Sequence, residues 1–328
     1  MSFPGMNRRT LLGTAAAAAA LPLTSGQARA QTSVPKQANA PLPGVFRYRV
    51  GSFELTSLFD GYGTRPLDDK FITNATVEQV RAAARDAFLP TDTLKLSYSP
   101  TVVHTGANVV LLDAGTGGKF GATTGMMSRG LDAADIAPSA ITAIVISHFH
   151  PDHIAGIKAA DNTLAFPNAE ILVPEAEYAY WMDEGEASRA PAGRKSYFEL
   201  ARATFGDIGG RLRRYRANEE VLPGMTAVPA YGHTPGHSAL RISSGGETAM
   251  ALADLTNVPF LFVRNPDWSA VFDIDADMAR ATRRKLLDQI AADRILAFGY
   301  HWGLPNAGHV SKAGSGFEFE PLAYVQTL

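Results

Sequence analysis

The chain is expected to fold as one α/β domain of layered α+β type, in which sheets are covered by helices. Three observations point there. Short β-branched runs recur in pairs around glycine turns in the first third of the chain. Strand-like and helix-like segments then alternate, the pattern of sheets carrying helices on their outer faces. The chain is also long enough for one domain with a full core.

Residues 1–30 read as an export signal. Asn7-Arg8-Arg9-Thr10-Leu11-Leu12 places a twin-arginine pair before an Ala-rich apolar run from Leu11 to Leu23, and Ala28-Arg29-Ala30 supplies a small-x-small cleavage pattern. The run is too short to span a bilayer, so no stable membrane anchor is expected and the mature protein should be periplasmic. Residues 31–44, rich in Pro, Ala and Gln, are expected to be a flexible lead-in, with residues 45–328 forming the domain.

Within 45–328, Val45–Val50 and Phe53–Asp60 read as paired strands around Gly51-Ser52. Thr76–Phe88 has helical spacing with Asn74 or Thr76 as N-cap. Thr101–Thr105 and Asn108–Asp113 form a second pair, followed by the buried runs Ile141–Ser147 and Glu170–Pro174. Helical spacing returns at Glu175–Met182 and Arg194–Phe205. Met225–Pro229, Ser238–Ser243 and Thr248–Ala253 read as strands. Asp275–Ala292 reads as an amphipathic helix with Met278, Leu286, Leu287 and Ile290 inside and Arg280, Arg283, Arg284 and Lys285 outside. Arg294–Tyr300 and Phe317–Pro321 complete the set.

Composition excludes some chemistry. There is no cysteine, so disulfides, thiolate nucleophiles and Cys-ligated zinc are ruled out. Segment 1–30 holds Arg8, Arg9 and Arg29 and no acid, so its removal takes the formal charge from −2 to −5. That balance gives no support for nucleic-acid binding, and the basic stretch Arg211–Arg216 fits a strand with a solvated charged face. No Gly-x-Ser-x-Gly elbow is present, and Gly115-Thr116-Gly117-Gly118 lacks the Lys-Ser/Thr ending of a phosphate-binding loop.

The strongest signal is His148-Phe149-His150-Pro151-Asp152-His153, directly after the run Ile141–Ser147. Three of the chain's eight histidines and an aspartate fall within six positions. On extended backbone, residues two apart face the same way, so His148 and His150 can grip one cation. Pro151 turns the chain off that line, letting Asp152 and His153 reach a second. Neutral imidazole and carboxylate are ligands that zinc prefers.

This run resembles the His-x-His-x-Asp-His motif of the metallo-β-lactamase superfamily, and further motifs follow the family order. Val110-Leu111-Leu112-Asp113-Ala114-Gly115, Gly232-His233-Thr234-Pro235-Gly236-His237-Ser238, Leu252-Ala253-Asp254 and Tyr300-His301 are similar to its later ligand-bearing segments. The resemblance implies an αββα sandwich with two Zn2+ per chain at one edge, other divalent metals being compatible. It implies His148, His150 and His233 on the first metal, Asp152, His153 and His301 on the second, and Asp254 bridging them. Asp113 and His237 would orient ligands through hydrogen bonds. His104 and His309 match no ligand position.

A water shared by such a pair is acidified toward neutrality and becomes the nucleophile, with Asp152 and Asp254 as the catalytic carboxylates. Asp254 stands where true β-lactamases of the superfamily generally lack a bridging Asp, and His150 where flavo-diiron relatives carry Glu. Within the superfamily the chain is most similar to the methyl parathion hydrolase, lactonase and arylesterase group. That similarity places Phe120, Trp181, Phe198 and Phe272 in an aromatic substrate pocket. The implied substrate is a small hydrophobic ester, lactone or phosphotriester. The alternatives are a dedicated acyl-homoserine lactone lactonase, an iron-dependent persulfide dioxygenase and a non-catalytic metal-binding protein. The sequence is compatible with a homodimer.

Overall fold

The computed structural model describes residues 42–324. The signal-like segment 1–30 and all but the last three residues of the 31–44 lead-in lie outside the described residues. Two seven-stranded sheets dominate. The first runs, in spatial order, Val45–Val50, Phe53–Leu58, Thr101–His104, Val109–Leu112, Ala143–Val145, Glu170–Pro174 and Leu212–Tyr215. Its early strands pair antiparallel, and the strands from Val109–Leu112 onward pair parallel. The second runs Glu220–Leu222, Met225–Pro229, Ser238–Ser244, Glu247–Ala251, Leu296–Phe298, Ala307–Ala313 and Gly316–Pro321.

Strand periodicity sorts the apolar residues into layers. Along Val109–Leu112 and Ala143–Val145, the side chains of Val110, Leu112, Ala143 and Val145 pack in the seam between the sheets with Met225, Leu240, Ile242 and Phe298. The intervening Leu111 and Ile144 face outward, against Ile154, Trp181, Phe198 and Phe205. Both faces of these strands are buried, which is why they read as unbroken β-branched runs. On the far side, Ala239, Met250 and Ala297 pack under Leu286, Leu287 and Ile290 of the Ala276–Asp293 helix. The order helix, sheet, sheet, helix is the αββα layering that the family resemblance implied.

The Val77–Asp86 helix is closed at its start by a capping box in which Thr76 and Gln79 exchange hydrogen bonds. Three details differ from expectation. Met278 lies 46% exposed while Arg283 is only 2% exposed. The face of the Ala276–Asp293 helix that meets the sheet is rotated to carry Ala279, Arg283, Leu286, Leu287 and Ile290. Arg283 is tolerated there because it donates to the carbonyls of Leu255, Pro266 and Trp268 and pairs with Asp273 at 3.4 Å. The third difference is an unexpected two-stranded sheet, Gly61–Pro66 with Thr93–Tyr98, which brings Arg65, Leu96 and Tyr98 to the ligand end of the sandwich. In the Leu212–Tyr215 edge strand, Arg213 pairs with Glu170 and Glu219. Just beyond it, Arg216 pairs with Glu175.

Candidate metal centre

Each ligand-bearing segment begins where a central strand leaves its sheet. After Ala143–Val145 the chain runs extended through His148 to His150, which sits at the N-cap of the short Pro151–Ile154 helix. Pro151 occupies the first helical position, where its missing N–H costs nothing. The extended stretch presents His148 and His150, and the turn of helix then presents Asp152 and His153. His233 lies in the loop before Ser238–Ser244, Asp254 in the turn after Glu247–Ala251, and His301 after Leu296–Phe298.

The potential ligand atoms of His148, His150, His233 and Asp254 lie within 4.8 Å of one another, as do those of Asp152, His153 and His301. Asp254 stands between the groups. Its Oδ2 is 3.3 Å from His233 Nε2 and 3.0 Å from His301 Nε2, and its Oδ1 is 3.2 Å from His153 Nε2.

Hydrogen bonds fix which nitrogen of each imidazole faces the centre. His153 Nδ1 is 2.8 Å from Asp113 Oδ2 and His233 Nδ1 is 2.9 Å from Asp273 Oδ1. His301 Nδ1 donates to the Ser97 carbonyl at 2.7 Å. Ser147 Oγ donates to Asp113 Oδ2 and so accepts from His148 Nδ1 at 3.0 Å. Four imidazoles thus have their outer N–H satisfied and turn Nε2 inward. His150 is the exception: its Nδ1 faces His233 Nε2 at 2.9 Å.

The donor set fits a pair of cations. His148 Nε2, His153 Nε2 and Asp254 Oδ1 are fully buried and form no hydrogen bond, though all crowd the same point, an arrangement that ordinarily costs free energy for each such atom. Burial pulls His148 and His150 well below the usual histidine range, so both are neutral donors. Burial acts the same way on His153, His233 and His301, but neighbouring carboxylates overcome it. Asp254, Asp113 and Asp152 raise His153, Asp254 and Asp273 lift His233 to about 9, and Asp254 with Asp152 raises His301. Asp254 itself is driven well below the carboxylate range: burial opposes this, and His301 and His153 overcome it.

Asp113 adopts a left-handed backbone at φ 58° directly after Val109–Leu112. Its carboxylate accepts from the Ser147 N–H and hydroxyl as well as facing His153. His237 donates from Nδ1 to the Ala230 carbonyl and accepts the Asp254 N–H on Nε2. With both nitrogens engaged, it anchors the Asp254 turn and has none left for a metal.

Two buried acids went unnoticed in the sequence. Asp273 joins His233 to Arg283. Glu177, on the Glu175–Met182 helix, accepts from Phe149 N, Trp181 Nε1, Thr234 Oγ1 and Gly236 N, tying the His148–His153 segment to the His233 loop. Gly236 is required there, since a Cβ would lie 2.2 Å from Glu177 N. Neither acid belongs to a local motif.

A cleft of about 110 Å³ opens onto His150, Asp152, Asp254 and His301, walled by Arg65, Leu96, Tyr98, Phe120, Tyr197 and Phe272. Of the four aromatics expected in a pocket, Phe120 and Phe272 line this cleft. Trp181 and Phe198 do not. They are 0% and 1% exposed, packed against each other at a tilt with centroids 4.6 Å apart in the core under the first sheet. Trp181 meets His150 edge-on, with centroids 6.0 Å apart, and so supports the ligand rather than the substrate.

The metallo-beta-lactamase superfamily model matches residues 96–299. No curated protein sequence matches the chain. Among solved structures, AidC, a dizinc quorum-quenching lactonase in complex with the product N-hexanoyl-L-homoserine, aligns with TM-score 0.80 and 29% identity, covering 88% of this chain and all of that one. The hydrolase AbOPH of the beta-lactamase superfamily aligns with TM-score 0.81 and 23% identity over the same shares. An N-acyl homoserine lactone hydrolase with N-hexanoyl-L-homoserine at its catalytic metal centre aligns more loosely, with TM-score 0.54 and 18% identity, covering 77% of this chain and 94% of that one. With its αββα layers and its His/Asp site for two metal ions, this chain belongs to the metallo-β-lactamase superfamily of metal-dependent hydrolases.

Proposed function

We propose that the protein hydrolyses hydrophobic lactones and esters at a pair of zinc ions, with N-acyl homoserine lactones as the leading substrate class. The observation that carries this reading is the inward convergence of five imidazoles and two aspartates at the floor of a cleft walled by Leu96, Tyr98, Phe120, Tyr197 and Phe272. The product bound to AidC, at 29% identity, supports the lactone class.

His148, His150 and His233 would hold one ion, Asp152, His153 and His301 the other, and Asp254 both. When bound, such a pair supplies Lewis acidity to a carbonyl and acidifies a water at neutral pH. The protein's own groups do the rest. Asp152 is the most solvent-accessible carboxylate of the set, its side chain 18% exposed at the cleft floor, and is placed to pass a proton to the leaving alkoxide. Tyr98 and Tyr197 are kept as phenols by burial and by the nearby Asp152 charge, so both remain hydrogen-bond donors. The apolar walls exclude water from the acyl chain. Export through residues 1–30 would place this activity in the periplasm.

The test is metal analysis with steady-state rates on N-hexanoyl-homoserine lactone, an aryl acetate and a dimethyl aryl phosphotriester. Two zincs per chain and turnover of the lactone are expected, and the phosphotriester arm shows how far the chemistry extends. Inactivity on all three substrates, or about one iron per chain with persulfide oxidation, overturns the reading.

A further inference from the structure

We infer that Arg65 is a specificity residue: at the cleft mouth it binds a second acceptor oxygen of the substrate, one belonging to the group attached beside the scissile carbonyl. The inference rests on the lactone and ester hydrolysis proposed above and names the substrate feature that the cleft reads.

Arg65 lies on the Gly61–Pro66 strand and lines the same cleft as Asp152, Asp254 and His301. Its guanidinium stands 4.5 Å over the Phe272 ring. Phe272 is braced from another side by Phe71, edge-on with centroids 6.0 Å apart. The guanidinium plane is therefore supported by a fixed aromatic face. Among the described residues, the Arg65 side chain forms no hydrogen bond or salt bridge, in contrast with those of Arg47, Arg213, Arg216, Arg280, Arg283 and Arg284, which pair with acids. A planar donor fork held on an aromatic ring with its N–H groups unspent is a poor structural element and a good recogniser of carbonyl or carboxylate oxygen.

The size of the cleft determines what meets it. At about 110 Å³ the cavity is well below the roughly 300–1,000 Å³ that encloses a drug-sized ligand. A substrate whose scissile carbonyl sits over the ligand floor extends out to the rim of the cleft, where Arg65 and Phe120 are exposed beside Phe272. A bare alkyl chain there meets the aromatic faces and leaves the guanidinium without a partner. An amide carbonyl at that point gains a charge-assisted hydrogen bond. Arg65 thus favours lactones bearing an acylamino group over plain alkyl lactones of equal length.

The experiment compares N-hexanoyl-homoserine lactone with an alkyl γ-lactone of matched length, on the zinc-loaded wild type, Arg65→Met and Arg65→Lys. The wild type should favour the amide-bearing lactone in KM by roughly tenfold, the scale of one hydrogen bond to a charged group. Arg65→Met should collapse that ratio toward one through KM rather than kcat, with zinc content still two per chain, and Arg65→Lys should restore part of it. Calorimetric binding of N-hexanoyl-homoserine, the ring-opened product, should weaken in parallel. If the wild type turns over both lactones and Arg65→Met shifts them equally or not at all, the role given to Arg65 is wrong. If the wild type turns over neither, the proposed function has failed instead.

Discussion

Replacing Glu177 by alanine withdraws one buried acceptor from four donors at once. Oε1 accepts from Phe149 N at 3.1 Å, Trp181 Nε1 at 3.1 Å and Thr234 Oγ1 at 2.5 Å, and Oε2 accepts from Gly236 N at 3.0 Å. The threonine hydroxyl can rotate, but two main-chain N–H groups and an indole N–H are left facing a void. At about 1–3 kcal/mol for each stranded donor, less what an entering water recovers, Glu177→Ala should cost about 3–5 kcal/mol. That is a large part of the roughly 5–15 kcal/mol that holds a typical domain together. Glu177→Gln discriminates the cause. Its amide oxygen can serve the three donors at Oε1, while its nitrogen opposes the Gly236 N–H. Burial already pushes the Glu177 carboxyl upward, so removing the charge recovers some desolvation, and the cost should be about 1–2 kcal/mol. Urea denaturation measures both variants. Zinc titration should show a roughly 10–100-fold loss of affinity in Glu177→Ala, because Thr234 and Gly236 of the His233 loop are no longer tied to Phe149 between His148 and His150. A shift below about 1 kcal/mol in Glu177→Ala, or equal damage in both variants, would refute the idea that this carboxylate organises the two loops.

Other perturbations separate the remaining roles. Asp254→Ala should reduce bound zinc below two per chain and cut lactone turnover by at least about a hundredfold, measured by metal analysis alongside rates. Trp181→Ala should lower stability by about 3–5 kcal/mol, as a core truncation does, with Trp181→Phe much milder; unchanged stability with altered substrate preference would return Trp181 to the pocket. Asp273→Asn should weaken zinc binding about 10–100-fold, because a neutral amide holds the His233 Nδ1–H less strongly than the carboxylate does. In chelator-treated protein, Asp254 and Asp273 together raise the His233 pKa to about 9, so their pairing with it contributes fully below 6.5 and fades as pH rises through about 9. The difference in Tm between wild type and Asp273→Asn should therefore be larger at about pH 6, where Asp273 is ionised and His233 charged, than above about pH 9, and a gap that grows with pH over that range would contradict that sign.

The parts of this molecule legible in the sequence were those whose signal is local. The run His148–His153 carries its geometry with it: an extended pair, a proline, then one turn of helix. The strands Val109–Leu112 and Ala143–Val145 read clearly because both their faces are buried, and Asn74 or Thr76 marked a helix start that the structure places at Thr76. The misread parts depend on partners far along the chain. Glu177 looks like a first-turn surface acid until Gly236, 59 positions away, meets it. Arg283 looks like a solvated charge until three distant carbonyls receive it. Trp181 and Phe198 had the right apolarity, but apolarity predicts burial and does not distinguish a core from a cleft wall. The Gly61–Pro66 and Thr93–Tyr98 strands, separated by a helix, gave no hairpin signal, so the Arg65 wall could not be foreseen.

The ligands are divided between the halves of the sandwich: His148, His150, Asp152 and His153 follow a strand of the first sheet, and His233, Asp254 and His301 follow strands of the second. Ions seated between them would act as rivets across the seam, adding to whatever cohesion Met225, Leu240 and Phe298 already give it. Scarcity of metal would then shorten the survival of the protein as well as silence it, since a sandwich without its rivets opens first at the edge where proteases can enter.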